Sequence, residues 1–274
     1  MDDKYQIYLN RLARMTLPEA GRTQIQHIQE SSKFQPNPEG ARQAVPFPGY
    51  TVITPPWEEE TDNSTFYARL QGYQQELLQL RVNSDWIVLV PPASFHLTLA
   101  DLIWDNAYHD ACEKNPQFEE QLRSCVGQIF EQYQQSMQRQ THPIRWLLQG
   151  LVVMPRAVGV CLVPQDEACY QQIVNLRRAI YQNSNLMALG IEQHYHFTAH
   201  VTLGYFGDIS PDLDRDRLAT MFSQLNQQWT ENSPELTIHR AELRKFDDMT
   251  RYYRQPDWPS LDFLKIFDNQ GKRL

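Results

Sequence analysis

The sequence predicts an α+β fold built on antiparallel sheet. Three observations carry this. Strand-like and helix-like stretches mix without the strict strand–helix–strand alternation of a parallel sheet. Two apolar runs, residues 144–153 and 158–163, are separated only by Met154-Pro-Arg-Ala157, the length of a hairpin connection. One short strand pattern occurs twice, as Phe95-His-Leu-Thr-Leu99 and Ala199-His-Val-Thr-Leu203.

Taken in order, residues 1–48 read as an extension and residues 49–274 as the folded domain. Tyr5, Tyr8, Leu9, Leu12 and Met15 fit one or two amphipathic helical turns. Pro36, Pro38, Pro46 and Pro48 then predict an extended path over the surface, a passive strap or a lid. Residues 50–54 read as a strand ended by Pro55 and Pro56. A helix follows over 65–80, with Asn63 and Ser64 as N-caps and Phe66, Leu70, Tyr73, Leu77 and Leu80 on its apolar face. Residues 86–90 and 94–99 are short strands. Residues 106–140 are helical in pattern, with Asn115-Pro116 as a cap and first-turn proline and Leu122, Val126, Ile129, Tyr133 and Met137 as the stripe. Asp166 opens a helix that ends near Gly190. Residues 194–206 look strand-like, Ser210-Pro211 caps another helix, and residues 236–246 form a last long strand.

Composition narrows the function. The chain has 274 residues, 41% of them hydrophobic, enough for one domain or two small lobes. No apolar run reaches the ~18–20 residues of a membrane helix, and the N-terminus lacks the pattern of a signal peptide. Four cysteines without Cys-x-x-Cys fit a reduced, cytoplasmic protein and no cysteine-ligated zinc. With 25 Lys+Arg against 33 Asp+Glu, a long basic track for nucleic acid is not expected. Dinucleotide-binding, Walker, Gly-x-Ser-x-Gly and His-Glu-x-x-His motifs do not occur in the sequence.

The repeat carries the chemistry. Along a strand, residues i and i+2 share a face. His96 and Thr98 therefore project together, as do His200 and Thr202, while Leu97, Leu99, Val201 and Leu203 point into a core. Opposed across one cavity, two imidazoles and two hydroxyls suit a phosphate. A neutral imidazole takes a proton from the nucleophile and a protonated one gives a proton to the leaving oxygen. The spacing does not say which histidine does which. His-x-Thr alone is a weak signal, and His196-Phe-Thr198 repeats it, but the paired copies match in their flanking apolar residues too.

This arrangement resembles the 2H phosphoesterase superfamily, over roughly residues 49–268. His96-Leu-Thr98 matches its first motif, His200-Val-Thr202 its second, and Leu243-Arg-Lys-Phe246 its last strand. The resemblance implies a bilobal fold, two antiparallel β-sheets facing a central groove with helices outside. It also implies metal-free cleavage or ligation of phosphodiesters, often 2′,3′-cyclic or 2′-5′ linkages. The chain looks most like a branch with an N-terminal extension and a helical insert after the first motif. Many members have proline before the second histidine; here it is Ala199.

The expected protein is thus a monomeric phosphoesterase without cofactor or metal, acting on a small nucleotide or RNA end. His96 and His200 would be catalytic and Thr98 and Thr202 would bind phosphate. Tyr205, His196, Arg156, Arg244 and Arg251 are further candidates for substrate, with Arg254 another source of charge. The alternatives are a nucleotide-binding module without catalysis, an RNA 2′-5′ ligase, or a metal site on His194, His196 and His200.

Overall fold

The computed structural model describes residues 2–80, 85–136, 143–231 and 234–263. Met137, placed by sequence on a helix stripe, lies outside the described residues, as does the end of the chain. From the N-terminus, α1 (Tyr5–Met15) and α2 (Pro18–Ile25) precede a small hairpin of β1 (Phe34–Pro36) and β2 (Arg42–Ala44). β3 (Gly49–Ile53), α3 (Ser64–Gln79), β4 (Ile87–Leu89) and β5 (Thr98–Trp104) follow. Helices α4 (Asp105–Lys114) and α5 (Phe118–Ser136) lead to the hairpin β6 (Ile144–Val153) and β7 (Ala157–Pro164). Next come α6 (Glu167–Tyr181), α7 (Ser184–Ala188), β8 (His200–Phe206) and α8 (Arg215–Thr230). The described chain closes with β9 (Glu235–Ile238), β10 (Arg240–Phe246), β11 (Tyr252–Tyr253) and β12 (Ser260–Asp262).

The architecture is bilobal α+β. One sheet runs β11-β10-β3-β5, with β12 also on β10; the other runs β4-β8-β7-β6-β9. All pairings are antiparallel. The helices bury the faces that their apolar periodicity marks. Phe66, Leu70, Tyr73 and Leu77 of α3 are buried, as are Leu122, Val126 and Ile129 of α5 and Tyr170, Ile173, Leu176 and Ile180 of α6. Each such side chain contributes about 1.5–3 kcal/mol by leaving water. Asp166 caps α6 by accepting from the Cys169 amide at 2.8 Å.

Five local readings differ, the first being residues 94–99, where Pro92–Ser94 form a 3-10 turn and β5 starts only at Thr98. Residues 236–246 are not one strand: β9 pairs with β6 and β10 with β3, so the chain passes between sheets at His239. Residues 194–199 precede β8 instead of belonging to it, because side chains from the N-terminus take up their backbone groups. The helix expected at Ser210-Pro211 starts at Arg215, where the Asp214 carboxylate accepts from the Arg217 amide at 2.9 Å. Asn63 stands at the N-cap of α3, but its amide bonds sideways to both backbone groups of Thr237 at 2.8 Å.

The N-terminal residues are more than a surface strap. α1 is a full 11 residues, and its Tyr8 and Leu12 are completely buried in the main core. The proline-dotted stretch beyond it carries the β1–β2 hairpin and has one foot on each sheet. The Ser31 amide donates to Phe206 at the end of β8 (2.8 Å), and the Phe47 amide donates to Asp247 beyond β10 (2.7 Å).

Candidate active site

The two like strands are the innermost walls of a cavity of about 360 Å³ between the sheets. His96, Thr98, His200, Thr202 and Tyr205 all line it. The flanking residues behave as strand alternation requires. Leu97, Leu99, Val201 and Leu203 are at most 1% exposed, while the histidines and threonines are half-buried.

Alternation then breaks at the same point in both copies. Opposite β3, the partners step from Ala100 at Val52 to Thr98 at Ile53, so Leu99 is an extra residue. Opposite β7, they step from Gly204 at Val158 to Thr202 at Gly159, so Leu203 is extra. A bulge reverses which face the following residues occupy. Asp101, three residues past Thr98, and Tyr205, three past Thr202, therefore both line the cavity. A second shift at Leu102 turns Trp104 into it as well. Gly159 permits the bulge in β8. A Cβ there would stand 2.5 Å from the Val201 carbonyl oxygen.

Each histidine is held alike. His96 donates from Nδ1 to the Ser94 carbonyl at 2.7 Å, and His200 from Nδ1 to the Thr198 carbonyl at 2.8 Å. A carbonyl can only accept, so Nδ1 carries hydrogen in both rings and Nε2 is the nitrogen left for a ligand. Burial pushes the His96 imidazole down to about 4 against the pull of the Ser94 carbonyl, and the charges of His200 and Arg244 push the same way. His96 is thus neutral near pH 7.

Four of the lining residues that sequence reasoning missed bear on the chemistry. Tyr252 packs on His96 with ring centroids 4.2 Å apart. Asp101 opens onto the groove; the surrounding protein raises its carboxyl, opposed by the charges of His200, Arg177, Lys33 and His194. Lys33 and Phe47 come from the N-terminal segment. Asp101 stands three residues after Thr98 as Tyr205 stands three after Thr202, but the bulges that turn both into the cavity are not visible in the sequence. Tyr205 itself donates to Met249 Sδ at 3.3 Å and packs beside Phe34.

The cationic candidates lie elsewhere. Arg244 is 1% exposed, and its five N–H groups all have partners: Nε and Nη2 on Glu242, Nη1 and Nη2 on Glu59, and Nη1 on the Tyr252 carbonyl. Arg156, in the β6–β7 turn, donates to Gln29 at 3.2 Å. Arg251 is exposed beside Tyr253, and Arg254 donates to the carbonyls of Trp258 and Pro256. His196 is 62% exposed and 3.6 Å from Asp3, while His194 packs edgewise on Trp104. The rings of His194, His196 and His200 thus have separate partners. No cluster of metal-binding side chains forms among the described residues.

The N-terminus supports the second motif from behind. Arg11 of α1 donates to Thr198 Oγ1 at 2.7 Å and to the Phe197 carbonyl at 2.6 Å. Asp2 accepts from the Phe197 amide at 2.7 Å. The carbonyl that orients His200 therefore belongs to a residue fixed by the extension. No helix among the described residues is long and apolar enough to cross a membrane.

Among solved structures, the chain is similar to the conserved protein of unknown function ATU0111 from Agrobacterium tumefaciens str. C58. The identity is 14%, with 84% of this chain and 93% of that chain covered and a TM-score of 0.56, so the two share a fold. TT0787 of Thermus thermophilus aligns at 15% identity and TM-score 0.41, over 78% of this chain and 94% of that one. E. coli LigT complexed with 3′-AMP aligns at 16% identity and TM-score 0.40, over 78% and 98%. No curated protein matches the sequence. Residues 33–155, which include His96 and Thr98 but end before His200, match the family model described as a 2H-phosphodiesterase domain of unknown function (DUF1868). Residues 33–155 are thus similar to a 2H-phosphodiesterase domain, and the two-lobed fold of the chain is the one it shares with ATU0111.

Proposed function

We propose that the protein is a metal-independent phosphoesterase that opens a cyclic phosphate or a 2′-5′ phosphodiester of a nucleotide or RNA end. One observation carries this reading: two histidines in one cavity, each with Nδ1 on a carbonyl two residues upstream and Nε2 without a hydrogen-bond partner among the described residues. Water attacks phosphorus in line with the leaving oxygen. His96, neutral near pH 7, takes the water proton on Nε2. His200 gives its Nε2 proton to the leaving oxygen. In each imidazolium state the carbonyl on Nδ1 stabilises the charge. Thr98 and Thr202 donate to the non-bridging oxygens as negative charge develops. The net change is hydrolysis of one P–O bond, with the two histidines left in exchanged protonation states until solvent resets them.

The test is turnover of 2′,3′-cyclic nucleotides and 2′-5′ oligonucleotides followed by phosphorus NMR, with and without EDTA. H96A and H200A should each lower kcat by roughly 10²–10⁴ while the fold survives. Undiminished turnover in the double variant removes the two histidines from the chemistry. Tight nucleotide binding by the wild type without product would instead make this a binding module.

A further inference from the structure

We propose that Lys33 forms a second anion-binding position in the groove, for a phosphate monoester or pyrophosphate separate from the phosphoryl group between the histidines. This deepens the reading above by naming the substrate class: a nucleotide or RNA end that carries a terminal phosphate as well as the scissile linkage.

Placement is the first support. Among the described residues lining the cavity, Lys33 is the one lysine or arginine. The arginines that approach the site have other partners. Arg244 is engaged at all five donors, and Arg177 is held by Asp2, the Leu99 carbonyl and the Tyr195 carbonyl. Lys33 makes no ion pair among the described residues. Its ammonium stands 4.5 Å over the Phe47 ring and 5.2 Å over the Tyr205 ring. Aromatic faces hold a cation while leaving its N–H donors unfilled. A lysine meant only to anchor the strap would be expected on a carboxylate.

Preorganisation is the second support. The Lys33 carbonyl accepts from the Val45 amide at 3.1 Å, and its own amide donates to Ser31 Oγ at 3.3 Å. The strap is tied to both sheets on either side, at Ser31 and Phe47. The ammonium is thus delivered from a fixed backbone. Burial favours its neutral form, while Asp101 and Asp105 favour the charged one.

Distance is the third. Tyr205 lies three residues beyond Thr202, but with Leu203 bulged out the pair is separated by two strand steps, about 7 Å. An anion on Lys33 would sit beside the Tyr205 and Phe47 rings, two strand steps on from Thr202. It sits further along the groove, towards the strap.

Calorimetry with 2′-AMP and adenosine 2′,5′-bisphosphate tests this on the full chain, because neither ligand requires turnover. The bisphosphate should bind the wild type about tenfold or more tightly than 2′-AMP. K33M should bring the two affinities together, and K33R should keep the preference. Equal affinities in the wild type, a preference that survives K33M, or no binding of either nucleotide overturns the proposal. Thermal melting of K33M checks that the strap remains docked; if K33M is unfolded, comparison of wild type with K33R and K33Q decides in the same way. A preference in binding without hydrolysis of any cyclic phosphate would overturn the phosphoesterase reading and leave the Lys33 site standing.

Discussion

Arg177 donates from Nη1 to the carbonyl oxygen of Leu99 at 2.6 Å, and Leu99 is the extra residue of the bulge behind Thr98. The same guanidinium binds Asp2 from Nε at 2.7 Å and from Nη2 at 3.1 Å, and Nη2 reaches the Tyr195 carbonyl at 3.3 Å. One buried cation therefore joins the first motif, the approach to the second and the N-terminus. Arg177 and Asp2 side chains are 5% and 4% exposed. R177M leaves the Asp2 carboxylate buried with Gln193 and the Phe197 amide as its remaining donors among the described residues. The expected loss is about 3–5 kcal/mol in urea unfolding, with D2N milder. A loss below about 1 kcal/mol would show that the N-terminus simply lifts away into water.

Arg244 makes a different prediction, because its ion pairs are structural. R244M strands Glu242, which is 3% exposed, with Arg240 at 3.7 Å and Arg254 at 3.9 Å as weak substitutes. The variant should lose about 3–5 kcal/mol. Removing the stranded charge as well, in E242M/R244M, should restore part of that stability. A double variant less stable than R244M alone would mean that the two side chains do not form a unit.

These two arginines mark where the sequence could be read and where it could not. The histidine and threonine pairs were legible because a strand period of two and a matching apolar frame act over five residues. The helices were legible for the same local reason, as the stripes of α3, α5, α6 and α8 show. Asp101 was not, since a bulge changes facing without changing residue type. Arg244 was read as a groove charge because, although Glu242 shares its strand face two residues away, nothing local reveals that Glu59 meets it. Lys33 was hidden among prolines, and its position depends on hydrogen bonds to Phe206 and Asp247, far away in sequence. The passage from β9 to β10 at His239 is likewise a tertiary choice: both halves have strand periodicity, and only the partner strands differ.

The depressed His96 pKa predicts a pH dependence with a definite sign. Unfolded, its imidazole titrates near 6.5. Folded, it titrates at about 4. Between those values the unfolded chain binds a proton that the folded chain does not. This contribution is therefore fully present above pH 6.5 and is lost as pH falls towards 4, by roughly 3 kcal/mol at most. Urea unfolding from pH 7 to pH 4.5 should show a shallower loss in H96Q than in the wild type. Parallel profiles for the two proteins would place the His96 pKa near its ordinary value. For catalysis the same shift predicts that the acidic limb of kcat/KM due to His96 lies near pH 4, not near pH 6.5.

Two glycines of ordinary appearance in the sequence should respond in opposite ways to alanine. At Gly159 the new Cβ meets the Val201 carbonyl at 2.5 Å and the Thr202 Cα at 3.3 Å, both backbone atoms of the second motif. Neither can move aside without displacing β8 relative to β7. G159A should therefore lose about 1–3 kcal/mol of stability. It should also lose up to about 100-fold in kcat, since misplacement by an ångström is enough for that. Gly72, within α3, has nothing within 4 Å of the corresponding position. There G72A should gain about 0.5–1 kcal/mol by restricting the unfolded chain, with kcat unchanged. Thermal unfolding and turnover of both variants separate the two cases. A G159A protein with normal kcat would show that β8 can yield behind Thr202 without displacing its hydroxyl.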